Sequence, residues 1–397
     1  MSKLDELIAE HCPDGVEFWT LGEIGDFYGG LSGKSKADFK DGNAKYITYK
    51  NVFGNIAVNT DISDFVQVGA GESQNTVQEG DVIFTGSSET PDECGMSSVL
   101  TQKIDEKLYL NSFCFGFRLR DANTLLPSFS KFLFRSFKVR EQIGKTASGV
   151  TRFNVSKEKM KRVLVPIPPL PVQREVVRIL DKFTELTTEL TAELAKELAA
   201  RKKQYAYYRD KLLTFGDNVP VVALGEVAEI GTGSKNTADG LPTGLYPFFV
   251  RSQEVRYMDT YEFDETAIIT SGDGVGVGKI FHFINGKYAL HQRAYRIKIT
   301  DGRVNPKFVF YYMKSHFSEY MKITAVHASV TSVRKPMLDK YPIHLPPIEE
   351  QERIAAILDR FETLTADISS GLPAEIALRK KQYEYYRDKL LTFKVSG

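Results

Sequence analysis

The sequence predicts an α+β fold, with two globular α/β modules joined by two long antiparallel helices in a pseudo-twofold arrangement. Three observations carry this reading. First, the stretch Arg201–Phe215, RKKQYAYYRDKLLTF, recurs at Arg379–Phe393 as RKKQYEYYRDKLLTF, and the copies differ only at Ala206 against Glu384. Second, the match runs upstream without a gap. Gln173 pairs with Gln351 and Ile179-Leu180-Asp181-Lys182-Phe183 with Ile357-Leu358-Asp359-Arg360-Phe361, at the same offset of 178 that separates Arg201 from Arg379. Third, Pro168-Pro169 and Pro346-Pro347 precede the two copies at that offset, and before each lies a stretch opening with Leu-Gly-Glu, at Leu21 and at Leu224. A long internal repeat decides the architecture before any single element does.

In order, residues 1–168 form the first module with an N-terminal lead, and 169–216 the central helix. Residues 217–346 form the second module, and 347–397 the C-terminal helix. The lead, MSKLDELIAE, reads as a short acidic amphipathic turn or two and not as a signal peptide. Each module follows its Leu-Gly-Glu with a glycine turn, Gly29-Gly30 or Gly231-Thr232-Gly233. Short β-branched and aromatic runs then read as strands, among them Tyr46-Ile47-Thr48-Tyr49, Asp81-Val82-Ile83-Phe84 and Ala267-Ile268-Ile269-Thr270. An aromatic helical stretch comes next, Phe129–Ile143 or Phe308–Ile323, and a Val-Thr turn closes each module at Val150-Thr151 or Val330-Thr331.

The Pro-Pro pairs cannot continue a preceding helix, so a fresh helix starts after each. Val176, Leu180, Phe183, Leu186, Leu190, Leu194 and Leu198 recur every three or four residues, on one face. Ile354, Ile357, Leu358, Phe361, Leu364 and Ile368 repeat that phase. A helix of about forty residues spans about 60 Å, too long for one module to cover, so its stripe needs a partner, and the other copy is the obvious one. Gly371-Leu372-Pro373, where the first copy has Thr191-Ala192-Glu193, signals a kink or restart.

Composition narrows the function. A chain of 397 residues that is 42% hydrophobic and 26% charged reads as two or three ordinary soluble domains. No apolar run approaches the roughly 18 residues of a membrane span. Cys12, Cys94 and Cys114 share no metal-binding spacing and read as free thiols in a reducing cytoplasm. A net charge of +1 places any nucleic-acid contact in local patches or on a partner. Gly272–Lys279 looks like a phosphate loop, but a P-loop needs glycine where Asp273 stands and a hydroxyl where Ile280 stands.

The near-identical helices carry unlike modules, and this layout resembles the specificity subunit of type I restriction–modification enzymes. The resemblance rests on RKKQYxYYRDKLLTF, ILDKF/ILDRF and the Leu-Gly-Glu turns, and it covers nearly the whole chain. It implies two target recognition domains, each reading one half of a bipartite, asymmetric site in double-stranded DNA. It also implies a helical ruler that docks two methyltransferase subunits, with restriction subunits joining them. S-adenosylmethionine and adenine chemistry belong to the methyltransferase partner, so this chain is expected to be a non-catalytic adaptor without a cofactor, metal or membrane, working in the cytoplasm. The Asn-Pro-Pro-aromatic motif of adenine methyltransferases is indeed missing from the sequence. Two other readings stay open: the DNA-recognition subunit of a type IIB-like system, which shares the layout, and a protein-only coiled-coil scaffold.

If DNA is the ligand, the reading residues must be polar side chains on loops that reach base edges. Lys34, Ser35 and Lys36, and Ser234, Lys235 and Asn236, lie in polar loops that could equally be solvated. Lys50-Asn51 and Arg251-Ser252 each end an aromatic strand. Ser87-Ser88, Asn111-Ser112 and His291-Gln292-Arg293 sit where the modules diverge most, although His291 could be an interior histidine with a hydrogen-bond partner. Thr151-Arg152, Thr331 and Arg334 follow the shared Val-Thr turn and suit phosphate contact. Tyr205, Tyr207, Tyr208, Tyr383, Tyr385 and Tyr386 are the same in both repeats. That favours a subunit-docking surface or helix–helix packing over base stacking.

Overall fold

In both modules, Leu-Gly-Glu opens a short helix directly behind a strand that clasps the module's last strand. Phe18–Thr20 runs antiparallel to Leu164–Pro166, and the helix Leu21–Ile24 follows. Val221–Ala223 runs antiparallel to Pro342–His344, ahead of the helix Leu224–Val227. The Leu21 and Leu224 amides donate to the Val163 and Tyr341 carbonyls. Each clasp brings the start and end of a module together, so the helix after Pro-Pro leaves beside the module's own first turn. The computed structural model describes residues 2–274, 276–324, 332–366 and 371–396. No described helix is long and apolar enough to cross a membrane.

The chain divides into two units, Met1–Ala192 with Ala377–Gly397, and Glu193–Ile376. The first holds a four-stranded antiparallel sheet ordered Gly25–Gly29, Cys114–Leu119, Val82–Thr85, Ser97–Val99. Every residue of Val82–Thr85 is buried, because that strand is central and covered on both faces. A smaller sheet pairs Ala44–Ile47 with Phe65–Val66 and, in parallel, with Tyr109–Leu110. The second unit merges the corresponding strands into one six-stranded sheet: Ala228–Thr232, Ala294–Ile299, Phe263–Ser271, Phe281–Leu290, Tyr246–Phe249, Arg256–Met258. Again one pair, Tyr246–Phe249 with Phe281–Leu290, is parallel.

Two local expectations change. Phe129–Ile143 is not one helix: Pro127–Leu133 stops and Phe137–Thr146 restarts. The half-buried Arg135 at the break donates to the Ser97, Val52, Phe53 and Asn55 carbonyls, and burial pulls its guanidinium down to about 10. The second unit keeps a single helix, Pro306–Thr324. Tyr46–Tyr49 is not wholly strand either. The strand ends at Ile47, and Thr48 caps a helix over Tyr49–Gly54 by accepting from the Asn51 amide.

The central helix runs unbroken over Leu170–Leu212, 43 residues. Its apolar stripe is buried at Val176 and Leu180, whereas Leu186 and Leu190 are 50% and 42% exposed. The second copy is two helices, Ile348–Ala366 and Leu372–Leu390, the latter starting at the Gly371-Leu372-Pro373 signal. Both copies are anchored alike. The Gln173 carboxamide accepts from the Leu126 amide and donates to the Thr124 and Pro168 carbonyls. Gln351 accepts from the Asn305 amide and donates to the Arg303 and Pro346 carbonyls. The next anchor also repeats: Asp181 pairs with Lys131 at 2.7 Å and Asp359 with Lys307 at 3.1 Å.

Within each unit the helix that leaves the module meets the far end of the other repeat. In the first, Phe183 stacks on Tyr386 at 5.8 Å and Thr184 shares a 2.9 Å hydrogen bond with Tyr383, in antiparallel register. In the second, Phe361 stacks on Tyr208 at 5.8 Å and packs against Tyr205. Phe183–Tyr386 and Phe361–Tyr208 are the same pair displaced by 178 positions.

The fully buried Gln173 ties three backbone groups of the first unit, and replacing it with alanine would leave all three without a partner. Gln173→Ala should therefore cost about 2–4 kcal/mol in denaturant unfolding of the first unit. A loss below about 1 kcal/mol would show that the amide is not a structural tie.

Candidate functional site

One end of each sheet carries the same backbone frame with different side chains on it. The Gly86 amide donates to the Phe113 carbonyl and the Val155 amide to the Gly86 carbonyl, at 2.7 and 2.9 Å. Gly272 repeats this with Arg293 and Val333, at 2.8 and 2.7 Å. The Asn111 and His291 amides donate to the Ile47 and Phe249 carbonyls, each at 3.0 Å. This superposition makes Ser87 the counterpart of Asp273, Phe113 of Arg293, and Tyr49 of Arg251. The glycine turns fit beneath. A Cβ on Gly30 would lie 2.1 Å from the Asn111 carbonyl oxygen, and one on Gly233 would lie 1.9 Å from that of Leu290. Only glycine lets the chain pass so close.

In the first module the frame surrounds a cavity of about 550 Å³, lined by Tyr49, Phe53, Ser87, Ser88, Phe113 and Arg152, with Thr151, Glu89 and Glu93 on its wall. The Arg152 guanidinium donates twice to the Ser87 hydroxyl, at 3.1 and 2.9 Å, and lies 5.6 Å from the Phe113 ring centroid. The Tyr49 hydroxyl donates to the Ser87 carbonyl at 2.9 Å. The Ser88 hydroxyl donates to Glu93. Phe113 is 57% exposed on a turn that the Asn111 side chain secures by accepting from the Phe113 amide. Ser112 beside it is exposed.

In the second module a carboxylate takes the place of the serine. Asp273 accepts from Arg251 at 2.8 Å and from Arg293 at 3.1 Å. Burial pushes its carboxyl upward, but the two guanidinium groups outweigh that, and the net shift is downward. His291 is buried, and its Nδ1 accepts from the Arg293 amide, so it is an interior histidine that holds the turn. Burial, with Arg251 nearby, pulls its pKa down. Gln292 donates to the Asn236 side chain and, through its amide, to the Lys235 carbonyl, which joins the polar loop to this turn. Ser234 in that loop donates to Glu262.

Several candidates lie apart from these clusters or are spent on structure. Lys34 is tied to Glu72 and the Gln67 carbonyl, with its side chain 8% exposed, so it serves its own loop. Ser35 bonds Asp38 as a cap, and Lys36 is exposed at the start of the short helix it caps. Lys50 is exposed and Asn51 half-buried on the helix Tyr49–Gly54, not at a strand end, and Asn51 pins the Asn59 backbone. Ser252 bonds the Glu254 carbonyl. Arg334 precedes the short helix Lys335–Asp339. Thr331 lies outside the described residues. Tyr49, Phe113 and Asp273 were missed as site residues, since only the strand pairing reveals that they share a frame. Gly272–Lys279 leads into the strand Phe281–Leu290 and not a helix, so it lacks the geometry of a phosphate loop.

The tyrosines divide by task. Tyr205 and Tyr208, like Tyr383 and Tyr386, face the opposing repeat, and burial pushes the Tyr205 phenol up to about 12. Tyr207 and Tyr385 are 60% and 63% exposed.

A family model described as the Type I restriction modification DNA specificity domain matches twice, over residues 13–200 and 216–378. The EcoR124I/EcoR124II specificity subunit of Escherichia coli is 35% identical over 266 residues, covering 60% of this chain and 65% of the relative, so the match spans less than two-thirds of that protein's length. A putative type I specificity subunit of Mycoplasma pneumoniae is 31% identical over 251 residues, 59% of this chain and 98% of its own. Two solved structures share the fold. One, from work on complex assembly and conformational transition of the type I R-M system, has a TM-score of 0.64 at 19% identity, over 95% of this chain and 97% of its own. The HsdS subunit of Thermoanaerobacter tengcongensis has 0.56 at 18%, over 96% of both chains.

Proposed function

Because this chain belongs to the family of type I restriction–modification specificity subunits, a non-catalytic family, we propose that it reads a bipartite, asymmetric DNA site, one half with each module. The observation that carries this reading is the shared frame with unlike ends: Ser87, Arg152 and Phe113 in one module, Asp273, Arg251 and Arg293 in the other. One scaffold bearing two sets of donors and stacking groups suits the reading of two different base sequences. Thr151 and Ser112 contact backbone or base edges around the first cluster; Asn236 and Gln292 do so around the second. Replacing residues 221–345 with the module of a relative should change one half of the methylated motif and leave the other intact. A change in both halves would sink independent reading.

In this reading the repeated helices dock two methyltransferase subunits, which bring S-adenosylmethionine, and restriction subunits join that assembly. Two equivalent surfaces follow from two equivalent repeats, and the exposed Tyr207 and Tyr385 mark them. Tyr207→Glu with Tyr385→Glu should weaken methyltransferase docking while thermal stability changes by less than about 1 kcal/mol, since neither ring is buried. Native mass spectrometry should show two methyltransferase subunits per chain before the change and a loss of that species after it; a fully active one-to-one complex would count against two docking surfaces.

The central helix sets the distance between the half-sites. Adding one TAEL tetrad after Leu194 lengthens a helix by about 6 Å and turns its continuation about 40° beyond a full turn. B-DNA rises about 3.4 Å per base pair, so the gap in the methylated motif should lengthen by one or two base pairs with the bases of each half unchanged. An unchanged gap in an active enzyme would remove the helix from that role.

A further inference from the structure

We propose that Asp273 is a positioning residue that presents Arg251 and Arg293 as two fixed forks for guanine, so that the half-site read by the second module carries guanine in its major groove. This rests on the bipartite reading above and deepens it for one module. Each arginine gives the carboxylate a single Nη1, Arg251 to one oxygen and Arg293 to the other. Among the described residues neither guanidinium makes another side-chain bond, so the Nε and Nη2 edges stay open. Two parallel N–H donors are what the O6 and N7 of guanine accept.

The three residues come from three strand ends: Arg251 after Tyr246–Phe249, Asp273 after Phe263–Ser271, and Arg293 between Phe281–Leu290 and Ala294–Ile299. A frame of backbone bonds therefore fixes the carboxylate, and the carboxylate fixes two long side chains that would otherwise lose rotamer freedom on binding. An acid at the centre of a phosphate-gripping patch would oppose binding; between two forks it sets their direction. The first module places Tyr49 and Phe113 at the arginine positions and a neutral serine at the centre, so its half-site is read by different chemistry.

The test is the methylated motif in cells carrying the complete system with the natural chain, with Asp273→Ala, or with Arg293→Ala, read by single-molecule sequencing. The natural motif should contain guanine in the half assigned to the second module by the module exchange. In Asp273→Ala, discrimination at that guanine should fall about tenfold or more, with the first half unchanged. Arg293 is 62% exposed on a turn, so Arg293→Ala leaves the fold intact and should relax one guanine position by itself. A merely structural role would lower methylation evenly at all sites. An even loss, an unchanged motif in both variants, or a second half without guanine would overturn the proposal while leaving bipartite reading standing. A natural motif without two halves would overturn both.

Discussion

The structure depends on a reciprocal helix contact: each unit's apolar core is completed by the end of the other repeat. Leu390, Leu391 and Phe393 enter the core of the first unit, and Leu212, Leu213 and Phe215 enter that of the second. Of these, Leu391 and Leu213 are buried outright, and each such side chain contributes about 1.5–3 kcal/mol. The aromatic pairs Phe183–Tyr386 and Phe361–Tyr208 then fix the register. The near-identity of the two RKKQYxYYRDKLLTF stretches has a direct physical reading: the same slot is filled twice, by the same side chains.

Against this repeated frame the modules differ where difference costs the fold little. The bonds that build each sheet end run through backbone groups, from Gly86 to Phe113 and from Gly272 to Arg293. The side chains at Ser87 and Asp273 can then differ in charge without altering the strands beneath. A scaffold held by main-chain bonds and close glycine approaches leaves its loop tips free to carry specificity.

The helices were legible because their signals are local or exactly repeated. Apolar spacing, Pro-Pro starts, the Gly371 restart and the offset of 178 all lie on the surface of the sequence. Strand ends were harder. Thr48 could extend a strand or cap a helix, and capping won at Asn51. The break at Arg135 depends on carbonyls up to 83 positions away, which no local pattern reports. The clusters were half legible. Ser87 and Arg293 stood out as polar residues where the modules diverge, Arg152 as a cation after the shared Val-Thr turn, and Arg251 as a cation ending an aromatic strand. Their partners did not, because Phe113 and Tyr49 look like core aromatics and Asp273 like a turn former. Lys34 shows the opposite error, a loop lysine whose charge is consumed by Glu72.

The proposed function rests on two unlike modules that read two half-sites independently. The most direct measurement is the methylated motif of DNA from cells that carry the natural chain with its methyltransferase, read by single-molecule sequencing. Bipartite reading requires one asymmetric motif in two specified halves, separated by a fixed run of unspecified bases. A contiguous motif, a palindrome, or a gap of variable length would contradict it.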